Sequence, residues 1–268
     1  MENNHKSQSL KSRASSVITT NNRVNNIENK ENIKEKPLWM DSIPEVIFLD
    51  KIRTKYHINS KPDEINPVIG EYDDPYNQRQ GPVKINFSKT GNTIVYGNAE
   101  SGKESLVSTL VYDIMTNYTA EDVQMYLLDF GSEALKIFRN SPTVGDVVFQ
   151  NDKEKINRLF DMLQKEEKER TKIISDYGGD YQLYITSNNK PMPMIIVIIN
   201  NYESFSESYG NEYDDLLLTL TRDGQKCGIL FLFTASTYND VRYRLSQNFR
   251  QKIALQINNS DDYLNIFD

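Results

Sequence analysis

Cysteine, histidine and tryptophan are scarce in this chain, and the first two scarcities each exclude a chemistry. Among 268 residues there is one cysteine, Cys227, so no internal disulfide framework exists and a reducing compartment is expected. The two histidines, His5 and His57, lie far apart in unrelated contexts. That inventory argues against a zinc site and against a His-based catalytic triad. Long apolar runs are missing as well. The longest, "MPMIIVII", is interrupted by Pro193 and is far shorter than the ~20 residues a membrane-spanning helix needs. The first residues lack the apolar centre of a signal peptide. A cytoplasmic chain with no membrane span of its own is therefore expected.

Positive charge is short everywhere except at the N-terminus. Residues 1–36 hold seven Lys/Arg against four Glu, a local balance of +3. The whole chain carries −7, which leaves −10 for the remainder. An acidic body argues against nucleic acid as a partner, because neutralising phosphates takes clustered Lys and Arg. Residues 1–36 are rich in Asn, Ser, Lys and Glu and show no periodic apolar face. They cannot bury enough surface to offset chain entropy and read as a disordered tail.

What is present is a change of character at Pro37. Residues 37–90 read as an extended docking strap, "PLWMDSIPEVIFLDKI", followed by two short strands around the Asp74-Pro75 turn. From residue 91 to 268 the pattern alternates β and α. "TIVYG" is a short buried strand, and Lys103–Tyr118 a helix with Leu106, Leu110 and Ile114 on one face. Strands follow at Val123–Phe130 and Val144–Phe149. Asp152 is expected to cap a long helix with Ile156, Leu159, Phe160 and Leu163 inward, stopped by Gly178–Gly179. "MIIVII" and "GILFLFTAS" are central strands, with a helix over "YDDLLLTLTRDG" between them. Asp240 is expected to cap a helix through Phe249, before a last strand, "KIALQI". Continuously apolar strands separated by helices imply an α/β fold with a mostly parallel sheet covered on both faces.

Between the first strand and its helix lies "GNAESGKES": Gly97, Asn98, Ala99, Glu100, Ser101, Gly102, Lys103, Glu104 and Ser105. The spacing G-x-x-x-x-G-K in a strand–loop–helix context is that of a phosphate-binding loop. Gly97 and Gly102 permit backbone angles that a Cβ would block, so the amides of Ala99 to Lys103 can point into one cavity. They add to the positive end of the helix dipole, and Lys103 brings an ammonium to the β- and γ-phosphates. ATP is the expected ligand. The magnesium side of the site is altered. The hydroxyl position after the lysine is Glu104, and "MIIVII" ends in Asn200–Asn201, where a Walker-B aspartate would stand. Glu203 follows three residues after Asn200, expected past the strand end. Either Glu104 pairs with Lys103 or the loop amides and excludes nucleotide, or it replaces the missing carboxylate and ligates Mg2+. No residue is assigned as catalytic, weak or absent hydrolysis is expected, and binding stays open. Asp129 at the sheet edge is either a site residue or a turn cap. Thr234 or Ser236 could sense a γ-phosphate or cap the next turn.

The segments "IGEYDDPYNQRQGPVKINFSKTGNTIVYGNAESGK", "YLLDFGSEALKIFRNSPTVGDVV", "IIVIINNYESF" and "ILFLFTAS" together resemble the FtsK/SpoIIIE-type ATPase modules of type VII secretion ATPases (EssC/EccC). The likeness runs from about Leu38 to the end and is strongest to the C-terminal, third module. It implies a RecA-like P-loop NTPase fold, ATP as ligand, and a place in a membrane-anchored secretion motor. The partners so implied are the secretion membrane ATPase or other secretion components, and small helical-hairpin secreted substrates. The family's loop glycines and lysine fall on Gly97, Gly102 and Lys103, and its Walker-B aspartate on Asn200. The chain resembles a module that stops short of the family's Gly-rich segment and closing strand. The resemblance implies a degenerate, regulatory or substrate-docking module, held near the cell membrane through its complex. The alternative is an active FtsK-like ATPase or DNA translocase.

Overall fold

The computed structural model describes residues 40–187 and 191–267. The expected tail (1–36) and the start of the strap, Trp39 included, lie outside the described residues. Two units are distinguished. In the small one, comprising residues 40–42 and 74–79, the Met40 amide donates to Gln78 Oε1 at 3.3 Å and Asn77 Nδ2 donates to Asp74 Oδ2 at 2.7 Å. The other comprises residues 43–73 and 80–267.

Two strands with every side chain buried set the fold: β6 (Met194–Asn200) and β7 (Ile229–Ala235). Strands of that kind need cover on both faces, which parallel sheets with helical crossovers provide. They pair in parallel from Ile195↔Ile229 to Ile199↔Phe233. Around them β3 (Thr93–Tyr96), β4 (Val123–Asp129), β5 (Val144–Phe149) and β8 (Gln251–Ala254) complete a six-stranded parallel sheet in the order β5-β4-β6-β7-β3-β8. β1 (Val68–Asp74) and β2 (Arg79–Lys84) form a separate two-stranded sheet.

The helices are α1 (Leu49–Lys55), α2 (Phe87–Thr90), α3 (Lys103–Asn117), α4 (Lys153–Ser175), α5 (Tyr181–Ser187), α6 (Tyr202–Asp223), α7 (Tyr243–Ser246) and α8 (Ser260–Phe267). α4 buries Ile156, Leu159, Phe160 and Leu163, the face its periodicity predicts. Aromatic rings join α6 to its surroundings. Tyr202 stacks on Phe233 of β7 at 4.5 Å, and Phe160 of α4 stacks on Tyr213 at 4.3 Å. Phe205 meets Phe130 edge-on at 5.3 Å. Such pairs add about 0.5–1.5 kcal/mol each beyond their buried area. Cys227 is buried, and burial pushes its thiol up to about 11, which leaves it an inert core residue.

Residues 43–73 are held on α3 by polar anchors. Asp113, 1% exposed, accepts from Arg53 Nε at 2.9 Å and Nη2 at 3.2 Å, and from the Val68 amide at 2.9 Å. Tyr118 donates to the Glu64 carbonyl at 3.0 Å and accepts from the Asn66 amide at 3.1 Å.

Four local expectations are corrected. The extended strap contains a helix, α1. The helix expected from Tyr213 starts eleven residues earlier, at Tyr202. Asp152 occupies the N-cap position without a side-chain cap, because its carboxylate accepts from the Phe149 amide instead. The helix expected through Phe249 is a 3-10 turn, Tyr238–Asp240, then the single turn of α7. Asp240 closes a capping box with Thr237, and Arg242 has an extended ψ of 134° that interrupts the helix.

Candidate functional site

The carboxyl ends of β3, β7, β6 and β4 lie side by side, and the turns leaving them enclose a cavity of ≈ 480 Å³. Open α/β sheets place their ligand sites along this edge. The strand–loop–helix sequence at residues 93–117 supplies one wall. The Gly97 amide donates to the Ala235 carbonyl at 3.0 Å and the Asn98 amide to the Gln256 carbonyl at 2.9 Å, which pins the loop to both neighbouring turns. Gly102 has φ +94° and Glu100 φ +62°, both left-handed. This is why glycine is needed at 102. The first amides of α3 have no intrahelical acceptor, and Gly102 to Ser105 line the cavity.

Lys103 Nζ donates to the Gly97 carbonyl and lies 3.3 Å from Ser236 Oγ. Burial lowers the pKa of its ammonium below the usual value, against the carboxylates of Glu203, Asp240 and Glu104, which raise it. An incoming phosphate would relieve that desolvation. Ser101 Oγ is buried without a partner. Gly97 packs on it: an added Cβ would lie 2.3 Å from that oxygen. Helix-terminal amides and a desolvated ammonium at one void fit a nucleotide's phosphates.

The magnesium side is built differently. Asn200, 2% exposed, donates from Nδ2 to Asp129 Oδ1 at 2.9 Å, and its Oδ1 accepts from Thr234 Oγ1 at 2.9 Å. Thr234 Oγ1 accepts the Asn201 amide at 2.8 Å, so its hydroxyl is fully used in positioning the strand end. Asp129 also accepts from the Gly131 and Leu135 amides at 3.1 and 3.0 Å, the turn-capping role. Glu104 accepts from Ser132 Oγ at 2.8 Å rather than pairing with Lys103. Glu203 lies in the first turn of α6 and lines the cavity, where Ser236 Oγ donates to its Oε1. No group of three or more His, Cys, Asp or Glu able to hold a metal occurs among the described residues. At the strand end where a protein-held magnesium would take a carboxylate there is the amide of Asn200, and Glu104 is drawn toward Ser132.

Of the residues singled out in the sequence, Asn98, Ala99, Glu100, Gly102, Lys103, Glu104, Ser105, Asn200 and Glu203 line the cavity, while Gly97 and Ser101 stand behind it. Gly131 and Ser132 were missed. An added Cβ at Gly131 would lie 3.1 Å from both Asn200 Nδ2 and Glu104 Oε1. Gly131→Ala is accordingly expected to destabilise the fold by about 1–3 kcal/mol in urea denaturation, as overpacking does.

A glycine loop and lysine on the carboxyl edge of a parallel sheet define a RecA-like P-loop domain, a class that binds nucleotides. The sequence model of the FtsK/SpoIIIE family matches residues 56–263, most of the chain, and the chain belongs to that family. It is homologous to the type VII secretion system protein EssC of Staphylococcus aureus (strain MRSA252), with 23% identity over 91% of this chain. It is likewise homologous to the ESX secretion system protein YukB of Bacillus subtilis (strain 168), with 24% identity over 86%. The matched stretch spans 17% and 15% of those proteins. Among solved structures, EssC ATPases 2 and 3 from Geobacillus thermodenitrificans share the fold at TM-score 0.70 and 23% identity, covering 88% of this chain and 42% of that one. The coupling protein TcpA of pCW3 conjugation, solved with ATPγS, superposes at TM-score 0.66 and 16% identity, covering 84% and 62%. No helix among the described residues is long and apolar enough to cross a membrane.

Proposed function

We propose that this chain is a nucleotide-binding module with weak or no ATP hydrolysis, acting as a regulatory or substrate-docking part of a type VII-like secretion machine. The observation that carries it is the split state of the cavity. The phosphate side keeps its loop, its left-handed Gly102 and its ammonium. On the metal side, Asn200 is locked between Asp129 and Thr234, and Glu104 is held by Ser132. In this reading residues 91–268 are the nucleotide-binding core, preceded by a strap and hairpin over residues 37–90. The loop amides and Lys103 hold the phosphates, and Gly97 with Ser101 keeps the loop in shape. When bound, the nucleotide supplies a polyanion that stiffens the loop between β3 and α3. An amide at 200 can neither neutralise a divalent cation nor take a proton from an attacking water. The homology to EssC and YukB supports the secretion setting. The module would act on the cytoplasmic side of the membrane, beside a secretion ATPase, with helical-hairpin exported proteins as candidate cargo.

Isothermal titration with ATP and magnesium, beside a phosphate-release assay, tests the biochemical half. Binding without turnover is expected. Lys103→Ala removes a charge-assisted contact and is expected to weaken binding roughly 10–100-fold. Robust turnover abolished by Lys103→Ala would overturn the non-hydrolysing part. Co-purification with a membrane secretion ATPase tests the setting.

A further inference from the structure

We infer that Glu203 makes this cavity selective for nucleoside diphosphates over triphosphates, an inference that rests on the nucleotide-binding reading above. In a phosphate loop the backbone amides cradle the inner phosphates and the lysine reaches toward the last one. Here the Lys103 ammonium ends beside Ser236 Oγ at 3.3 Å, and Ser236 donates to Glu203 Oε1. The place beyond the ammonium, where a third phosphate belongs, is thus already bordered by an internal carboxylate. Its other oxygen, Oε2, is buried and has no hydrogen-bond partner.

A buried carboxylate oxygen with no donor is an arrangement that folding alone does not favour. Glu203 lines the cavity, so this uncompensated charge acts on whatever occupies it. Among the described residues Lys103 is the only basic one lining the cavity, whereas Glu104, Glu203 and Glu100 all line it. Asp240 is a further acidic neighbour of Lys103. At Asn200, where a carboxylate would help hold a neutralising cation, there is an amide whose two polar atoms are taken. A third phosphate would meet the Glu203 charge with the single Lys103 ammonium to offset both. A diphosphate stops at the ammonium and leaves the Lys103–Ser236–Glu203 chain in place.

The test is isothermal titration of the full chain with ADP and with ATP, each in EDTA and in excess magnesium. The unaltered protein is expected to bind ADP about tenfold or more tighter than ATP in both buffers, the size of one uncompensated charge contact. Glu203→Gln keeps an acceptor for Ser236 and removes the charge. It should bring the two affinities together by improving ATP, with ADP little changed. Ser236→Ala leaves the charge, so the preference should survive. Equal affinities in the unaltered protein, or an unchanged ratio in a Glu203→Gln variant that melts normally, overturns the inference and leaves nucleotide binding standing. The ratio in the unaltered protein decides even if that variant does not fold. Absence of binding by either nucleotide removes the nucleotide-binding reading itself, and the inference with it.

Discussion

Asp113→Ala is expected to cost about 3–5 kcal/mol in urea denaturation, the scale of breaking a buried ion pair from one side. Asp113 is a charged residue in mid-helix, on the buried face of α3 beside Leu110 and Ile114. It can be there because its carboxylate is satisfied. Arg53 of α1 donates two nitrogens, the Val68 amide at the start of β1 donates a third contact, and Asn117 Nδ2 lies at 3.2 Å. Alanine would leave the Arg53 guanidinium, whose side chain is 10% exposed, without its anion, and the Val68 amide without its acceptor. Both α1 and β1 would lose their tie to α3. Asp113→Asn keeps one oxygen for Val68 and loses the charge, so it should cost less. If Asp113→Ala falls within about 1 kcal/mol of the unaltered protein, residues 43–73 are held by apolar contacts and the Tyr118 hydrogen bonds rather than by this ion pair.

Asp113 also shows why part of this fold was hidden in the sequence. A lone aspartate in an apolar helix face reads as a solvated position, because its partners are 45 and 60 residues away. The sheet was legible for the opposite reason. β6 and β7 are apolar at nearly every position, a local signal that needs no partner to be read. The phosphate loop was legible because its geometry demands glycine at 102 and lysine at 103 in a fixed spacing. The first half of α6 was obscured by Ser204, Ser206, Ser208 and Gly210, although Tyr202, Phe205, Tyr209 and Tyr213 repeat at helical spacing and carried the signal. At the site, the two sequence departures were visible as Glu104 and Asn200. What holds them was not: Ser132, Gly131 and Asp129 come from the end of β4 and Thr234 from that of β7, and only the sheet order brings them together. The two fates weighed for Glu104 both missed Ser132, a hydroxyl partner 28 residues away.

Asn200→Asp restores the Walker-B residue type, yet it is expected to lower stability by about 2–4 kcal/mol and to yield no robust hydrolysis. The new carboxylate can keep Thr234 on one oxygen, but the other replaces the amide nitrogen that sits 2.9 Å from Asp129 Oδ1. Two carboxylates that close repel by about 4–5 kcal/mol at an effective dielectric of about 20, part of which relaxation and water recover. Asp129 cannot turn away cheaply, since the Gly131 and Leu135 amides both depend on it. Metal capture by the new residue competes with that repulsion, and Glu104 remains tied to Ser132. Combining Asn200→Asp with Asp129→Asn exchanges amide and carboxylate and recreates a hydrogen bond of the same shape. A double-mutant cycle should then return a favourable coupling of roughly 2 kcal/mol or more, within the range for residues in one network. A stable Asn200→Asp protein that turns over ATP would mean that a single amide is all that silences the site, and that the Asp129–Asn200–Thr234 chain adapts freely to a charge.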